Sequence, residues 1–158
     1  DPHSPQGDRR IVSFYEQLTG AGQTVTLDVS QCPDLVPPLA ALAAGLEGKT
    51  THIVGAARLR IKESDRLATT SQVLNELGAQ VEELSQGLTI RGVAQFAGGV
   101  TVPCHNDHRI AMMAAMAATR CEAPITLTGA QCVAKSFPDF WEVYEKLGGT
   151  IVKSEEIL

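Results

Sequence analysis

The sequence has 158 residues, of which 44% are hydrophobic and 20% charged, and its mean hydropathy is +0.01. This composition is typical of a soluble globular domain with a core of its own. The net charge of −5 argues against a nucleic-acid surface and gives no reason to expect a membrane partner.

The first periodic segment is RIVSFYEQLTGAG (10–22), which predicts a short helix. The sequence begins at Asp1 without an initiator methionine and has no signal-peptide pattern. We therefore expect residues 1–23 to be the end of a preceding structural unit, and the sequence to be a fragment of a longer protein.

Residues 24–99 predict a unit in which strands and helices alternate. The predicted strands are TVTLDV (24–29), THIVGA (51–56), QVEEL (80–84) and GLTIRG (87–92), and the predicted helices cover 34–46 and 63–77. The first helix is apolar nearly all round, so we expect it to be buried on several sides. The second carries a single apolar stripe and is amphipathic.

The same order returns over residues 100–158, which indicates an internal repeat. The predicted strands are VTVPC (100–104), PITLTGA (124–130) and TIVKS (150–154), and the predicted helices cover 107–120 and 138–147. Asp107 lies 73 residues after Asp34, and Lys135 lies 73 residues after Lys62. The sequence therefore predicts an α/β fold of repeated βαβαββ units, about two of them present, with buried inner helices and outer mixed sheets. All of it would belong to one domain.

The four cysteines form no C-x-x-C pair, which favours reduced thiols and a cytoplasmic protein. They lie at positions 32, 104, 121 and 132. Cys104 and His108 have the spacing of half a metal site, but further ligands are missing nearby. We therefore expect no metal.

Charged residues are concentrated at the four strand-to-helix junctions. They are Asp34, then Lys62, Glu63, Asp65 and Arg66, then Asp107, His108 and Arg109, and finally Lys135. Arg109 is the most informative, because a cation in the first turn of a buried helix opposes the helix dipole. We expect the repeat to bring the junctions to one end of the helix layer, where they form a strongly positive site for acidic groups. A carboxyl group among those cations is a candidate general acid or base.

Each of these residues also has a plainer interpretation. Asp34 and Asp107 fit simple N-caps, and residues 62–66 fit a solvated first turn with local ion pairs. His108 fits a hydrogen bond to the neighbouring loop, and Lys135 alone is uninformative. Only the joint pattern favours a binding site.

Four segments resemble the signature segments of the 5-enolpyruvylshikimate-3-phosphate synthase family. They are CPDLVPPLAALAAG (32–45), RIKESDRL (60–67), NDHRIAM (106–112) and AKSFPDFW (134–141). The resemblance implies a two-domain enzyme in which each domain has three βαβαββ units. It also implies that this chain is the C-terminal portion.

The resemblance implies enolpyruvyl transfer from phosphoenolpyruvate to the 5-hydroxyl of shikimate 3-phosphate, on the pathway to aromatic amino acids, without organic cofactor or metal. The phosphoenolpyruvate site, which glyphosate also occupies, would contain Glu63, Arg66, Arg109 and Lys135. Asp34 and Lys62 would contact shikimate 3-phosphate. Glu63 would protonate the methylene carbon, Asp34 would take the hydroxyl proton, and His108 would support the site.

Arg58 departs from the family pattern, since some members carry Asn there. The N-terminal domain, which supplies the other half of the site in this family, is not part of the sequence. We therefore expect the isolated chain to fold without turnover. Two alternatives are a UDP-N-acetylglucosamine enolpyruvyl transferase, which lacks the KESDR and NDHRIAM combination, and a non-catalytic anion-binding homologue.

Overall fold

The computed structural model describes residue 3 and residues 5–153, and in them short strands alternate with helices. The helices are α1 (Ile11–Thr19), α2 (Val36–Ala44), α3 (Arg66–Leu77), α4 (His108–Ala118) and α5 (Phe140–Lys146). The strands are β1 (Thr24–Asp28), β2 (Thr50–Val54), β3 (Gln80–Leu84), β4 (Gly87–Arg91), β5 (Phe96–Gly98), β6 (Thr101–Pro103), β7 (Cys121–Ala123) and β8 (Thr126–Thr128). None of the described helices is long and apolar enough to cross a membrane.

The main sheet has the strand order β1-β2-β4-β3 and is mixed. Strands β1 and β2 are parallel, with Thr24 opposite Thr50, because α2 carries the chain back between them. Strands β3 and β4 form an antiparallel hairpin, and β4 also pairs antiparallel with β2. Two further parallel pairs, β5 with β7 and β6 with β8, lie outside this sheet. The predicted α/β class with mixed sheets is confirmed.

Helices α2 and α4 form the centre of the core and pack against each other. In α2, Leu39, Ala40 and Ala44 are completely buried, and in α4 Ile110 and Ala114 are buried. Alanine side chains let two helix backbones approach closely, and each fully buried leucine or isoleucine contributes about 1.5–3 kcal/mol. The prediction that these helices are buried on several sides is confirmed.

Helix α3 is amphipathic, as its apolar stripe predicts. It begins after Asp65, whose side chain accepts a hydrogen bond from the Ala68 amide at 3.2 Å. It ends at Gly78, which has φ +111° and closes the helix in the left-handed conformation. A Cβ atom at Gly78 would lie 2.9 Å from the Ala97 nitrogen, so glycine is required there for space as well.

A strand–helix–strand unit occurs twice, and a glycine with φ +75° follows the second strand in each copy. The first copy is β1, α2 and β2, followed by Gly55, and the second is β6, α4 and β8, followed by Gly129, with the short β7 inserted between α4 and β8. Each glycine leads into a 3-10 turn, Ala57–Ile61 in the first copy and Ala130–Lys135 in the second. The first turn ends just before the charged residues 62–66, and Lys135 is the last residue of the second turn.

The structure differs from the predicted elements in several places. The strand predicted at 150–154 is wrong for residues 150–153, which are irregular, while residue 154 lies outside the described residues. Val152 is 90% exposed, and a strand without a neighbour has no ladder to join. Strands β5 and β7 were not predicted, because their sequences FAG and CEA show no alternation of apolar and polar residues, unlike the equally short β6 and β8. The helices predicted from residues 34 and 63 begin later, at α2 and α3.

Candidate active site

The charged residues of the four junctions meet in one cluster. Asp34 precedes α2, residues 62–66 lead into α3, residues 107–109 begin α4, and Lys135 ends the last 3-10 turn before α5. Ion pairs join all four segments, so the polar ends of both repeats lie together. The predicted convergence of the junctions is therefore what the structure shows.

The Asp34 carboxylate lies among three cations. Its oxygens are 3.0 Å from Nη1 of Arg66, 3.3 Å from Nζ of Lys62 and 3.6 Å from Nη2 of Arg109. Asp34 belongs to the 3-10 turn Pro33–Leu35 and caps neither that turn nor α2. The simple N-cap interpretation of Asp34 is therefore wrong, because its side chain turns towards the cations of other elements.

Arg66 and Asp107 form a buried, two-pronged ion pair. The Nε and Nη2 atoms of Arg66 donate to Oδ2 and Oδ1 of Asp107 at 2.7 and 3.2 Å. Arg66 is 3% exposed and Asp107 is fully buried, so water does not screen the pair. Arg66 therefore does not belong to a solvated first turn, although that interpretation suited its spacing.

Asp107 stays ionised in this setting. Burial works to raise its pKa, but hydrogen bonds from Arg66 and Ser64, the Arg66 charge and the Arg109 amide together hold the pKa below its usual value. The Ser64 hydroxyl donates to Oδ2 at 2.8 Å, and the Arg109 amide donates to Oδ1 at 3.0 Å. Asp107 is thus the N-cap of α4, as one interpretation predicted, and it also binds Arg66.

Glu63 lies at the other side of the cluster, between a histidine and a lysine. Its Oε1 atom is 3.1 Å from Nδ1 of His108, and its Oε2 atom is 3.6 Å from Nζ of Lys135. Lys135 also donates to the carbonyl oxygen of Asn106 at 2.5 Å. His105 and Asn106 both have φ +53°, a conformation that Asn tolerates well, and this turn presents that carbonyl to Lys135.

The position of Arg109 at the start of α4 has a structural explanation. Its guanidinium reaches back to Asp34, with Nη1 3.4 Å from the main-chain oxygen and Nη2 3.6 Å from the carboxylate. The charge of Asp107, the helix cap, further offsets the repulsion from the helix dipole. Arg109 remains one-third exposed, so it can still meet a ligand.

The cluster is less positive than the sequence predicts. Its cations are Lys62, Arg66, Arg109 and Lys135, and its carboxylates are Asp34, Glu63 and Asp107. Cations therefore outnumber carboxylates by one, leaving His108 out of the count. Each cation is already within 4.0 Å of a carboxylate, so an entering anion exchanges contacts rather than filling a vacant positive pocket.

Comparison with known proteins identifies the family. Residues 6–144 match the family model of EPSP synthase (3-phosphoshikimate 1-carboxyvinyltransferase). The chain belongs to the EPSP synthase family. The resemblance seen in its signature segments is thereby confirmed.

Relatives and solved structures agree with this assignment. The 3-phosphoshikimate 1-carboxyvinyltransferases of Clostridium acetobutylicum and Clostridioides difficile are 48% and 50% identical to the chain over 94% of its length. A structure of EPSP synthase from Acinetobacter baumannii covers 80% of the chain with a TM-score of 0.74 and 39% identity. The chain spans 37% of the length of the two clostridial relatives and 30% of the Acinetobacter chain.

Among the described residues, one set of side chains in the cluster has the spacing of metal ligands. Ligand atoms of Glu63, Asp107 and His108 lie within 4.8 Å of one another. Both oxygens of Asp107 already accept hydrogen bonds from Arg66, so a cation there would be repelled by the guanidinium. The pairing of Cys104 with His108 is equally poor, because burial raises the pKa of the Cys104 thiol to about 12 and disfavours the thiolate that metals require.

Several residues of the cluster were not singled out from the sequence. Ser64 donates to Asp107, and Asn106 supplies the carbonyl that binds Lys135. Arg60 holds the same loop from outside, since it pairs with Asp65 at 3.0 Å and with Glu83 of β3. No local pattern marks these contacts, because their partners lie up to 43 residues away. Arg58 lies exposed in the turn Ala57–Ile61.

Proposed function

We propose that the chain supplies half of the active site of a 3-phosphoshikimate 1-carboxyvinyltransferase. The reaction transfers the enolpyruvyl group of phosphoenolpyruvate to the 5-hydroxyl of shikimate 3-phosphate and releases phosphate. The observation that carries the proposal is the pair of carboxylates, Asp34 and Glu63, placed among four cations in one cluster. Cations alone would be enough for binding anions, whereas two carboxylates beside them suit proton transfer.

The cations have the exposure that a phosphoenolpyruvate site needs. Lys135 is 41% exposed and Arg109 33%, so both reach solvent, while Arg66 forms the buried floor. Guanidinium groups match the planar geometry of carboxylates and phosphates, and an ammonium group adds a point charge. We assign these three residues, with Glu63, to phosphoenolpyruvate, which also makes them the residues that glyphosate would contact.

Asp34 and Lys62 are assigned to shikimate 3-phosphate. Asp34 accepts the proton of the 5-hydroxyl as that oxygen attacks the enol carbon of phosphoenolpyruvate. Lys62, 3.3 Å from Asp34, contacts the same substrate. Because Asp34 is also next to Arg66 and Arg109, the acceptor hydroxyl would lie close to the bound donor, as addition requires.

Glu63 is assigned the second proton transfer. In its protonated form it gives a proton to the methylene carbon, forming the methyl group of a tetrahedral intermediate, and the hydroxyl proton taken by Asp34 is released with the phosphate. On elimination it takes a proton back from that methyl group while phosphate leaves. His108, 3.1 Å from Glu63, orients the carboxyl group and supports both steps. Preorganised charges of this kind stabilise the charge that develops in the transition state, so no organic cofactor or metal is needed.

The other half of the site would come from the rest of the polypeptide. Because the chain spans 37% of its clostridial relatives, we propose that the remainder supplies the N-terminal domain. The family resemblance implies that this domain contributes a lysine, further arginines and a Ser-rich segment that binds phosphate. The division of this chain into an end segment 1–23 and units 24–99 and 100–158 is part of the same proposal. Four free cysteines, three of them buried, suit a cytoplasmic enzyme.

The test is phosphate release from phosphoenolpyruvate by the full-length polypeptide. Shikimate 3-phosphate and UDP-N-acetylglucosamine are supplied separately as acceptors, and Glu63→Gln is compared with Glu76→Gln, an exposed position on α3. We expect release with shikimate 3-phosphate alone, and a loss of at least 100-fold in Glu63→Gln only. Release with the nucleotide sugar alone would assign the related transferase. No release with either acceptor would leave a non-catalytic anion-binding protein.

A further inference from the structure

The buried guanidinium of Arg66 has a defined set of occupied donors. A guanidinium carries five N–H groups in a fixed plane. Among the described residues, the Nε donor and one Nη2 donor are taken by Asp107, and one Nη1 donor is taken by Asp34. One N–H on Nη1 and one on Nη2 make no hydrogen bond to these residues, although the Glu63 carboxylate lies 4.0 Å from Nη2, and we call these two donors the outer edge of the guanidinium. They are the donors that Arg66 still has for a substrate carboxylate.

Asp107 is itself fixed more firmly than a helix cap needs. Capping α4 requires one oxygen, and Oδ1 provides it to the Arg109 amide. Oδ2 accepts from Ser64 at 2.8 Å and from Arg66 at 2.7 Å. Ser64 also lies 3.2 Å from the hydroxyl of Thr69 on α3, so the carboxylate is tied to two helices at once. A fully buried group with this many partners cannot change rotamer cheaply.

We propose that Asp107, supported by Ser64, is a positioning residue for the carboxylate of phosphoenolpyruvate. It binds Nε and Nη2 of Arg66, which form the inner edge of the guanidinium, and so directs the outer edge towards the substrate. The inference rests on the proposed function and deepens it, since it adds a residue that does not touch substrate. Stability alone is a weak reason for such a pair, because burying two charges costs about as much as their attraction returns.

The test is Asp107→Asn in the full-length enzyme. Asn caps helices about as well as Asp, so α4 keeps its start. The amide has one acceptor oxygen and no charge, so it cannot hold both Arg66 donors and the Ser64 hydroxyl. We expect the KM for phosphoenolpyruvate to rise at least tenfold, while the KM for shikimate 3-phosphate changes less than threefold. A merely structural role would move both KM values together.

Asp28→Asn is the matched control, because it makes the same change at an exposed carboxylate outside the cluster that also accepts a hydrogen bond from a main-chain amide, that of Ser30. Both KM values should stay within twofold of the parent enzyme. Ser64→Ala keeps the proposal testable if Asp107→Asn does not fold. It removes one contact to Asp107, and we expect a two- to fivefold rise in the KM for phosphoenolpyruvate alone.

The outcomes separate the two proposals. Parent enzyme that shows no turnover with shikimate 3-phosphate overturns the proposed function, and this inference with it. An active parent enzyme whose Asp107→Asn and Ser64→Ala variants keep the KM for phosphoenolpyruvate unchanged overturns the positioning role alone. Equal rises in both KM values would also overturn it, since they would show a general disturbance of the site.

Discussion

At the scale of single residues, Arg109 shows how a local energetic cost points to function. A cation in the first turn of a helix is disfavoured by about 0.3–1 kcal/mol. The partner it gains, Asp34, is 3.6 Å away, and both side chains are about one-third exposed, so the pair itself contributes little. Because Arg109 does not stabilise the fold at this position, its presence there is best explained by ligand binding.

Arg109→Ala is therefore expected to leave the fold intact while weakening substrate binding. We expect the free energy of unfolding of the chain to stay within about 0.5 kcal/mol of the parent value or to rise, because a dipole repulsion is removed with the ion pair. Urea unfolding measures this. In the full-length enzyme the KM for phosphoenolpyruvate should rise at least tenfold.

Arg120→Ala is the control from just beyond the other end of α4. Arg120 donates to the carbonyl oxygens of Gly45 and Ala94, and a cation near a helix C-terminus is favoured. Its removal should cost about 1–2 kcal/mol. Equal losses of stability from Arg109→Ala and Arg120→Ala would contradict the argument.

Asp107 predicts a specific dependence of stability on pH. Its pKa is held below the usual value of about 3.9 despite burial, by Arg66, Ser64 and the Arg109 amide. A depressed carboxyl pKa contributes stability that is complete above about pH 5 and is lost as the pH falls through the lower, folded-state pKa. The difference in unfolding free energy between the parent chain and Asp107→Asn should therefore be largest near neutral pH and shrink below about pH 4. Urea titrations at several pH values test this, and a difference that stays constant down to pH 3 would show that the carboxylate charge does not stabilise the fold.

Most residues of the cluster can be recognised in the sequence because they depart from the usual residue preferences of buried helices. A charged first turn on a buried helix, and carboxylates between cations, are visible in a string of letters. The partners are not. Arg66 and Asp107 are 41 residues apart, and only the packing of α3 against α4 brings them together. The near balance of charge in the cluster follows from such pairings, which is why a strongly positive site was expected instead.

At the scale of elements, the two repeats offer a matched experiment. Gly55 and Gly129 follow β2 and β8 and share φ +75°. A Cβ at Gly129 meets nothing within 4 Å, whereas one at Gly55 would lie 2.7 Å from Oδ1 of Asp28 and 3.2 Å from the Ser30 nitrogen. Those two atoms are hydrogen-bonded to each other at 2.9 Å, so neither moves without loss.

We expect Gly129→Ala to destabilise the chain by about 1–2 kcal/mol, which is the cost of a left-handed residue with a side chain. Gly55→Ala should cost about 1 kcal/mol more, since it also breaks the contact between Asp28 and Ser30. Urea unfolding of both variants gives the comparison. Equal losses of unfolding free energy would show that the turn at Asp28 accommodates the extra Cβ atom without losing its hydrogen bond.

The elements themselves were predicted where a pattern was long enough to be read. The apolar α2 and α4 and the striped α3 were clear from composition and period. Strands β5 and β7 have three residues each, and their pairing depends on how α4 returns the chain rather than on their own sequence. The segment 150–153 has the composition of a strand, but in the described part of the chain no strand lies beside it. Because a strand is stabilised by pairing with its neighbours, composition alone does not make this segment a strand.

At the scale of the whole molecule, the site depends on both repeats at once. Asp34 and Glu63 precede helices of the first repeat, while Asp107, Arg109 and Lys135 come from the second. Neither repeat contains a complete set of cations and carboxylates. The core is continuous across them too, since α2 packs on α4 and α3 packs on both. The chain is therefore expected to unfold as one cooperative unit.

The isolated chain should fold without catalysing the reaction. Its core holds completely buried residues from both repeats, such as Leu39, Leu74 and Ile110, so urea should unfold it in a single transition. Lys135 and Arg109 remain partly open to solvent, and the closed, water-excluded environment that makes such charges effective would need the rest of the polypeptide. We expect no phosphate release when phosphoenolpyruvate and shikimate 3-phosphate are mixed with the chain alone. Release should appear when the chain replaces the matched segment of the Clostridium acetobutylicum enzyme, which is 48% identical to it. Turnover by the 158 residues alone would mean that one cluster, rather than two facing halves, is enough for the chemistry.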